Sequence, residues 1–496
     1  MYWLGIDVGT GGTRALLVDR EARVRWSATA PHEPMRMDQP LWAEQSPDDW
    51  WEAASRAVRD VVAQSGLESK SIRGVGLSGQ MHGLVMVDGE GSVIRDSLIW
   101  CDQRSQPQVD ALDGQIGRER ILDWTANPPL TGFTLPKLLW VRDNEPRNYS
   151  RLRTILLPKD YVRFRLTGER ATDVSDASGT GVFDVAHRKW ALDLAREAGL
   201  DPGVLPRVVE SDGLTGQVSR DAAARTGLAA GTPVVGGAGD QAAGAVGNGI
   251  VGPGIVSCTI GTSGVVFAHT ASPACDPAGR IHTFCHAARR AWHVMGVTQG
   301  AGLSLQWFRK TLAPDRSYDE LTAEAALAPP GSGGLYWLPY LMGERTPHLD
   351  ARARGGWIGM TARHTRADMI RSLLEGVSYS QKDCLDIIEG IGVPVATVRL
   401  SGGGARSPLW RQMLADVFGR RVAVLEAGEG AAYGAALLAM AGTGESGPVH
   451  EIAAGVSRET AASEPDPVAA ARYAEGHAVY RRLYPALAGF YKDPRL

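Results

Sequence analysis

A glycine-rich tight turn between two apolar runs occurs twice in this chain, about half a chain apart. The first is Ile6-Asp7-Val8-Gly9-Thr10-Gly11-Gly12-Thr13, with apolar runs at 2–6 and 15–18. The second is Ile260-Gly261-Thr262-Ser263-Gly264, with apolar runs at 255–260 and 265–268. Each reads as a β-hairpin whose turn exposes backbone N–H groups. Glycine lets the backbone approach a ligand closely, so such a turn can cradle phosphate oxygens. Two copies so placed point to two similar halves facing one nucleotide. In a chain with 60 glycines, two unrelated turns are the competing reading.

The 496 residues allow two to four domains, each with a real core, and 44% hydrophobic with 22% charged residues is ordinary for a globular protein. A net charge of −3 and the lack of a long basic run give no reason to expect nucleic acid. No stretch of about 18 apolar residues is present, so no membrane span is expected. The chain reaches Asp7 and its turn at once, and a cytoplasmic location is the expectation. Five cysteines lie scattered without a framework, which favours reduced thiols. His282, Cys285 and His286 form an H-x-x-C-H cluster. A metal site needs further ligands and supporting hydrogen bonds, so this cluster is read as structural.

Strands are expected at 3–7, 14–18, 24–30 and 72–77. Ser46-Pro47-Asp48-Asp49 opens a helix, with Ser46 as N-cap, proline at the first position and acids facing the helix dipole. The section 102–231 lacks a simple period and is expected to decorate the first half. A buried strand at 233–237 runs into a loop and a small-residue helix at 238–247. The boundary falls near 247–252, dividing the chain into 1–248 and 249–496. The second half shows strands near 292–297, 335–338, 395–400 and 422–425. Its helices are expected at 303–311, 366–388, 408–418 and 431–440. Residues 461–466 read as a linker, and the final helix from 467 is free to pack on either unit. Strands followed by helices in each half argue for two α/β domains around a cleft.

Four features fit one chemistry. The two turns can hold the phosphates of a nucleotide. Asp7, at the end of a buried strand, can hold Mg²⁺ through water; the bland alternative is a carboxylate bonded to its own turn. The loop Gly402-Gly403-Gly404-Ala405 can let a purine or ribose approach the backbone, or simply connect a strand to a helix. Asp240 ends a buried strand and opens a helix. There it can accept a proton from a substrate hydroxyl attacking a γ-phosphate, or act only as an N-cap. His82, in Met81-His82-Gly83, can bond a sugar hydroxyl or be a satisfied structural residue. Trp100, Asp102 and Arg104 share a loop whose polar fork suits polyol hydroxyls.

These segments together resemble the FGGY carbohydrate kinases, most closely the bacterial members that phosphorylate xylulose. The resemblance runs nearly the full length. It rests on GIDVGTGGTRALLVD, LWAEQSPDDWW, GLSGQMHG, FTLPKLLWVRDNEP, LLPKDYVRFRLTGE, GDQAAGAVG, IGTSGVVFA, LPYLMGERTPH and SGGGARSPLWRQMLADVFG. It implies two actin/Hsp70/RNase H-like domains flanking a central ATP and sugar cleft. It implies Asp240 as catalytic base beside Asp7, with Met81, His82, Gln241, Trp100 and Arg104 on the sugar side. It implies nucleotide contacts at Thr10, Gly11, Gly12, Thr13, Gly261, Thr262, Gly300, Gly403, Gly404 and Ala405. The implied reaction is ATP- and Mg²⁺-dependent phosphorylation of D-xylulose at its 5-hydroxyl. The implied partners are small molecules, with a homodimer left open.

Two departures bear on the substrate: Gln241 and Cys101 stand where some relatives carry asparagine. The nearest rival is a kinase for another ketose or polyol, such as ribulose or an alditol. A sugar-independent ATPase of the same fold would leave Asp240 and the Met81–His82 loop without a role. A sugar-binding regulator would need a DNA-binding segment, and none is evident.

Overall fold

The computed structural model describes residues 1–426 and 430–493. Three antiparallel strands open the chain: β1 (Tyr2–Val8), β2 (Gly12–Val18) and β3 (Val24–Pro31). Helix α1 (Pro47–Ser65) follows, with Pro47 in its first turn. Ser46 occupies the cap position but makes no side-chain cap bond. Strand β4 (Ile72–Gly79) then lies parallel to β1. After the middle section come β5 (Leu214–Gln217), β6 (Pro233–Val235) and the short β7 (Ala238–Gly239). The first sheet runs β5-β6-β4-β1-β2-β3, with β7 pairing beside β4.

The second half builds the same figure. Strands β8 (Gly254–Ile260), β9 (Gly264–Thr270), β10 (His282–Cys285) and β11 (Trp292–Thr298) are antiparallel neighbours. Strand β12 (Val395–Gly402) is parallel to β8, β13 (Arg421–Leu425) parallel to β12, and β14 (Glu459–Ser463) antiparallel to β13. The order is β10-β11-β9-β8-β12-β13-β14. In both seven-stranded sheets, antiparallel strands on one side (β1–β3; β8–β11) adjoin two parallel strands and an antiparallel edge strand, the first sheet adding the short β7 beside β4. That is the two-domain α/β architecture expected from the paired turns.

Helix α2 (Thr134–Asn144) lies in the middle section, which forms its own small core around Leu84, Met86, Leu138 and Leu194. Helix α3 (Asp240–Gly247) follows β7. Helices α4 (Gly302–Leu312), α5 (Arg366–Gly390) and α6 (Pro408–Phe418) belong to the second half. Helix α7 (Gly430–Gly442) comes late in the chain yet covers the first sheet. Gly5 on β1 and Gly76 on β4 permit this. A Cβ at either would lie 1.9 Å from a carbonyl oxygen of α7, that of Ala432 or Ala435. The chain therefore crosses between the two sheets again after the point near residue 248.

One expectation needs correction and an open one is resolved. Residues 461–466 are not a linker: β14 pairs Ala461 with Val424, and Asp466 caps the next helix by accepting from Val468 and Ala469. The run is too short to show a strand period, and its partner strand decides its conformation. The final helix, α8 (Pro467–Leu487), packs on α5 and α6 of the second half. No helix among the described residues is long and apolar enough to cross a membrane.

Candidate active site

The parallel strands β1, β4 and β7 end side by side. Asp7 is level with Ser78, and Ser78 with Ala238. One residue further, Gly79 is level with Gly239, and Asp240 follows as the first residue of α3. Ligands of open α/β sheets bind at such carboxyl ends. The N-cap of α3 is Gly239, so Asp240 is not a capping residue. Its pKa is pushed up to about 7 by burial and by the charge of Asp7, against the opposing amides of Gln241. Asp7 is raised too, by burial, with the Ser78 hydroxyl and then Arg14 opposing. Its Oδ1 is buried without a hydrogen-bond partner. That orphaned acceptor fits a hydrated cation.

Met81 and His82 follow β4 and face the same place. A Cβ at Gly239 would sit 2.8 Å from Met81 Cγ, so Met81 lies directly on the backbone before Asp240. His82 has φ +69° and its Nδ1 lies 2.7 Å from the Gly179 carbonyl. A carbonyl only accepts, so Nδ1 carries the proton. Burial drives the His82 pKa down to about 3, so the ring is neutral and Nε2 offers a lone pair. The His82 carbonyl is held by Thr134 Oγ1 at 3.1 Å and Lys137 Nζ at 3.0 Å.

The first turn is braced by a polar network. Thr10 Oγ1 donates to Gln80 Oε1 (3.2 Å) and accepts from the Trp100 indole (3.1 Å). Gln45 donates to the Thr10 carbonyl at 2.8 Å. Gly11 has open space where a side chain would stand, while Gly12 faces the Ala30 carbonyl of β3. Thr13 is fully buried with its hydroxyl 2.8 Å from His32, so it is a sheet residue and not a ligand contact. In the second turn, Gly261 has no neighbour closer than 3.6 Å at the Cβ position. Thr262 accepts N–H bonds from Ala301 and Leu303, which fastens α4 to the turn. Gly300 is explained by packing, since a Cβ there would lie 1.8 Å from the Pro339 carbonyl.

Gly403 and Ala405 line a cleft of about 580 Å³ with Ser401, Arg406 and Leu425. Gly404 is buried against Ile260, which brings this loop to the second turn. Arg104 requires correction. Its side chain is 1% exposed, bonded to Asp102 and Glu44 and stacked 3.7 Å from the Trp42 ring centroid. The polar fork seen in the sequence is consumed inside the fold. Trp100, by contrast, stays 43% exposed beside Thr10.

Residues that sequence reasoning missed come from both halves. Phe133 lies 4.9 Å from His82, and Phe284 of β10 lies 6.1 Å from it, centroid to centroid. His282 stacks on Phe284 at 5.6 Å. Lys137 and Gln80 lie within the family-like segments, but nothing local marks them. The H-x-x-C-H cluster holds no metal geometry. His282 bonds Asn127, the Cys285 backbone N–H donates to the Ser178 hydroxyl oxygen, and His286 bonds the Ile250 carbonyl. All five cysteines are free.

Residues 2–247 match the N-terminal domain, and 256–443 the C-terminal domain, of the FGGY family of carbohydrate kinases. The chain belongs to this family. Among relatives of this FGGY kinase, a xylulose kinase of Bacillus subtilis is 38% identical over 97% of this chain and 96% of its own length. One from Escherichia coli is 37% identical over 98% and 99%. The crystal structure of a xyloylose kinase from Brucella ovis agrees with TM-score 0.94 at 36% identity, covering 99% of this chain and 100% of that one. The FGGY kinase described here is thus a sugar kinase of the actin/Hsp70-like fold.

Proposed function

We propose that this FGGY kinase transfers the γ-phosphoryl group of ATP to the 5-hydroxyl of D-xylulose, giving D-xylulose 5-phosphate and ADP. The observation that carries the mechanism is the placement of Asp240, half-buried near Asp7 at the ends of β7 and β1, with Met81 against the preceding backbone. The similarity to xylulose kinases supports the choice of sugar.

Asp240 accepts the proton of the 5-hydroxyl as its oxygen attacks phosphorus. A carboxylate with a pKa near 7 is a better base than an ordinary one and is still ionised in half or more of the molecules at neutral pH. His82 Nε2 accepts from a sugar hydroxyl, and Gln241 lies next to the base. The turns at Gly11 and Gly261 take the phosphates on their backbone amides, and the loop at Gly403–Ala405 takes the nucleoside. Asp7 would hold Mg²⁺ through water, and the ion supplies charge neutralisation on the phosphates. Phosphoryl transfer needs positioning and charge compensation more than covalent help, and these groups provide both.

Phosphorus NMR of the product tests the regiochemistry. An ester on the terminal carbon remote from the carbonyl supports the reading. An ester at the other end, or none, contradicts it.

A further inference from the structure

We propose that Arg345 binds the carbonyl end of the ketose, the end remote from the hydroxyl that Asp240 deprotonates. The proposal rests on the pentulose reading above and adds a specificity residue from the second half of the chain.

Hydrogen bonds place Arg345 at the sugar side. Its neighbour Thr346 donates its hydroxyl to the Arg280 carbonyl at 2.7 Å, two residues before His282. Thr346 also exchanges bonds with Val297 on β11, at 3.1 and 3.0 Å. Glu344, on the other side, accepts the backbone N–H groups of Gln299 and Arg345 at 2.8 and 2.7 Å. The segment is therefore clamped beside β10, whose His282 and Phe284 pack against His82 and Phe133. The positive charge of Arg345 reaches both histidines. It adds to the burial that lowers each to about 3.

The guanidinium makes no hydrogen bond and no ion pair with any described residue. Arg345 is half-buried, and a guanidinium without a protein partner there is free to complete its hydrogen bonds with a ligand. Glu344 is not that partner: burial raises its pKa to about 8, and its Oε1 is already used by the two backbone donors. Lys137, the other buried cation near His82, spends its ammonium on the His82 and Gly132 carbonyls.

The chemistry then sorts itself. His82 has its proton on Nδ1, toward Gly179. His282 bonds Asn127 Oδ1 through Nδ1 at 3.1 Å, and that oxygen also accepts the Thr283 N–H. Both rings therefore present Nε2 as an acceptor, suited to hydroxyl donors. A ketone oxygen has only lone pairs and needs a donor. The guanidinium, donor only, is that group. Phe133 and Phe284 pack on each other in the small buried core between these polar points.

The test is steady-state kinetics of wild type, Arg345→Met and Arg345→Lys with D-xylulose, xylitol and ATP varied in turn. Loss of a charged hydrogen bond predicts a rise in KM for D-xylulose of roughly 10- to 100-fold in the methionine variant. The KM for ATP should stay within about 2-fold. Xylitol should suffer less, because its C2 hydroxyl can instead donate to an imidazole, so the ketose-over-alditol preference falls. Arg345→Lys should recover part of the loss, and it serves if the methionine variant does not fold. An unchanged KM for D-xylulose, or a rise confined to ATP, overturns the proposal. Wild type alone decides the pentulose reading: preference for a substrate without a carbonyl defeats that reading and this inference with it. A wild-type ketose preference that survives in Arg345→Met defeats only the role of Arg345.

Discussion

The backbone N–H of Gly239 donates to the Ser175 hydroxyl at 3.2 Å. Ser175 in turn donates to Asp173 Oδ2 at 2.6 Å. Asp173 shares the Lys159 ammonium (2.9 Å) with Asp160 (2.6 Å) and Asp176 (3.2 Å), and all four side chains are fully buried. The strand end that carries Asp240 is thus moored to a buried ionic cluster. Burial disfavours the Lys159 charge, but the three carboxylates outweigh it and raise its pKa.

Removing one partner of such a cluster leaves buried charge uncompensated. Lys159→Met is expected to lose about 3–5 kcal/mol of stability, measured by urea unfolding. Ser175→Ala cuts the mooring while keeping the charges. It should lower kcat more than it changes KM for the sugar, because the base loses its position.

Asp240 stands at a cost to the fold. Its folded pKa of about 7 lies above the ordinary 3.8, so ionising it opposes folding. The unfolded state loses that proton first, and stability from this group falls as pH rises from about 4 to about 7. In metal-free buffer, Asp240→Asn should therefore melt several degrees higher than wild type at pH 8. The gain should shrink as pH approaches 4. An equal or lower melting temperature at pH 8 would show that the carboxylate is not strained.

His82→Ala should raise the sugar KM well above any change in the ATP KM. Lys137→Met should do the same more mildly, since the Lys137 ammonium bonds the His82 and Gly132 carbonyls and so acts through the His82 backbone. Steady-state kinetics with each substrate varied separates these effects. A change confined to ATP would remove His82 from the sugar side.

Three buried histidines give the fold an acid limit. Burial lowers His82, His282 and His286 from 6.5 to about 3. His286 shows the neutral form directly: Nε2 lies 2.9 Å from the Ile250 carbonyl, while Nδ1 accepts the Ala288 N–H at 2.9 Å. Between those values the unfolded chain binds more protons than the folded one. The stability from these groups is complete above about pH 6.5 and is lost as pH falls toward about 3. Urea unfolding at pH 7.5 and 5.0 should show the lower stability at 5.0. His286→Gln should reduce that difference.

The strand ends that hold Asp7 and Asp240 were legible because a glycine turn and a strand-to-helix transition leave local marks. So were α5 and α6, whose periodic apolar faces extend over many turns. Arg104 misled because its partners, Glu44 and Trp42, lie far back in the sequence, and a polar loop looks the same whether it faces a ligand or the core. The seating of α7 on the first sheet was hidden for a similar reason. Gly5 and Gly76 show their purpose only when the helix that touches them is in place. His282 was read with its chain neighbours Cys285 and His286, whereas its working neighbours are Phe133 and Asn127 from the other half.

Sugar-dependent ADP release with Mg-ATP tests the central claim most directly. It would compare D-xylulose, L-xylulose, D-ribulose, L-ribulose, glycerol, D-arabitol and xylitol, with Asp240→Ala as control. The account predicts strong preference for D-xylulose in wild type. In Asp240→Ala it predicts near-complete loss of turnover, with the fold and ATP binding retained. ADP release indifferent to every sugar, or turnover that survives in Asp240→Ala, would contradict it.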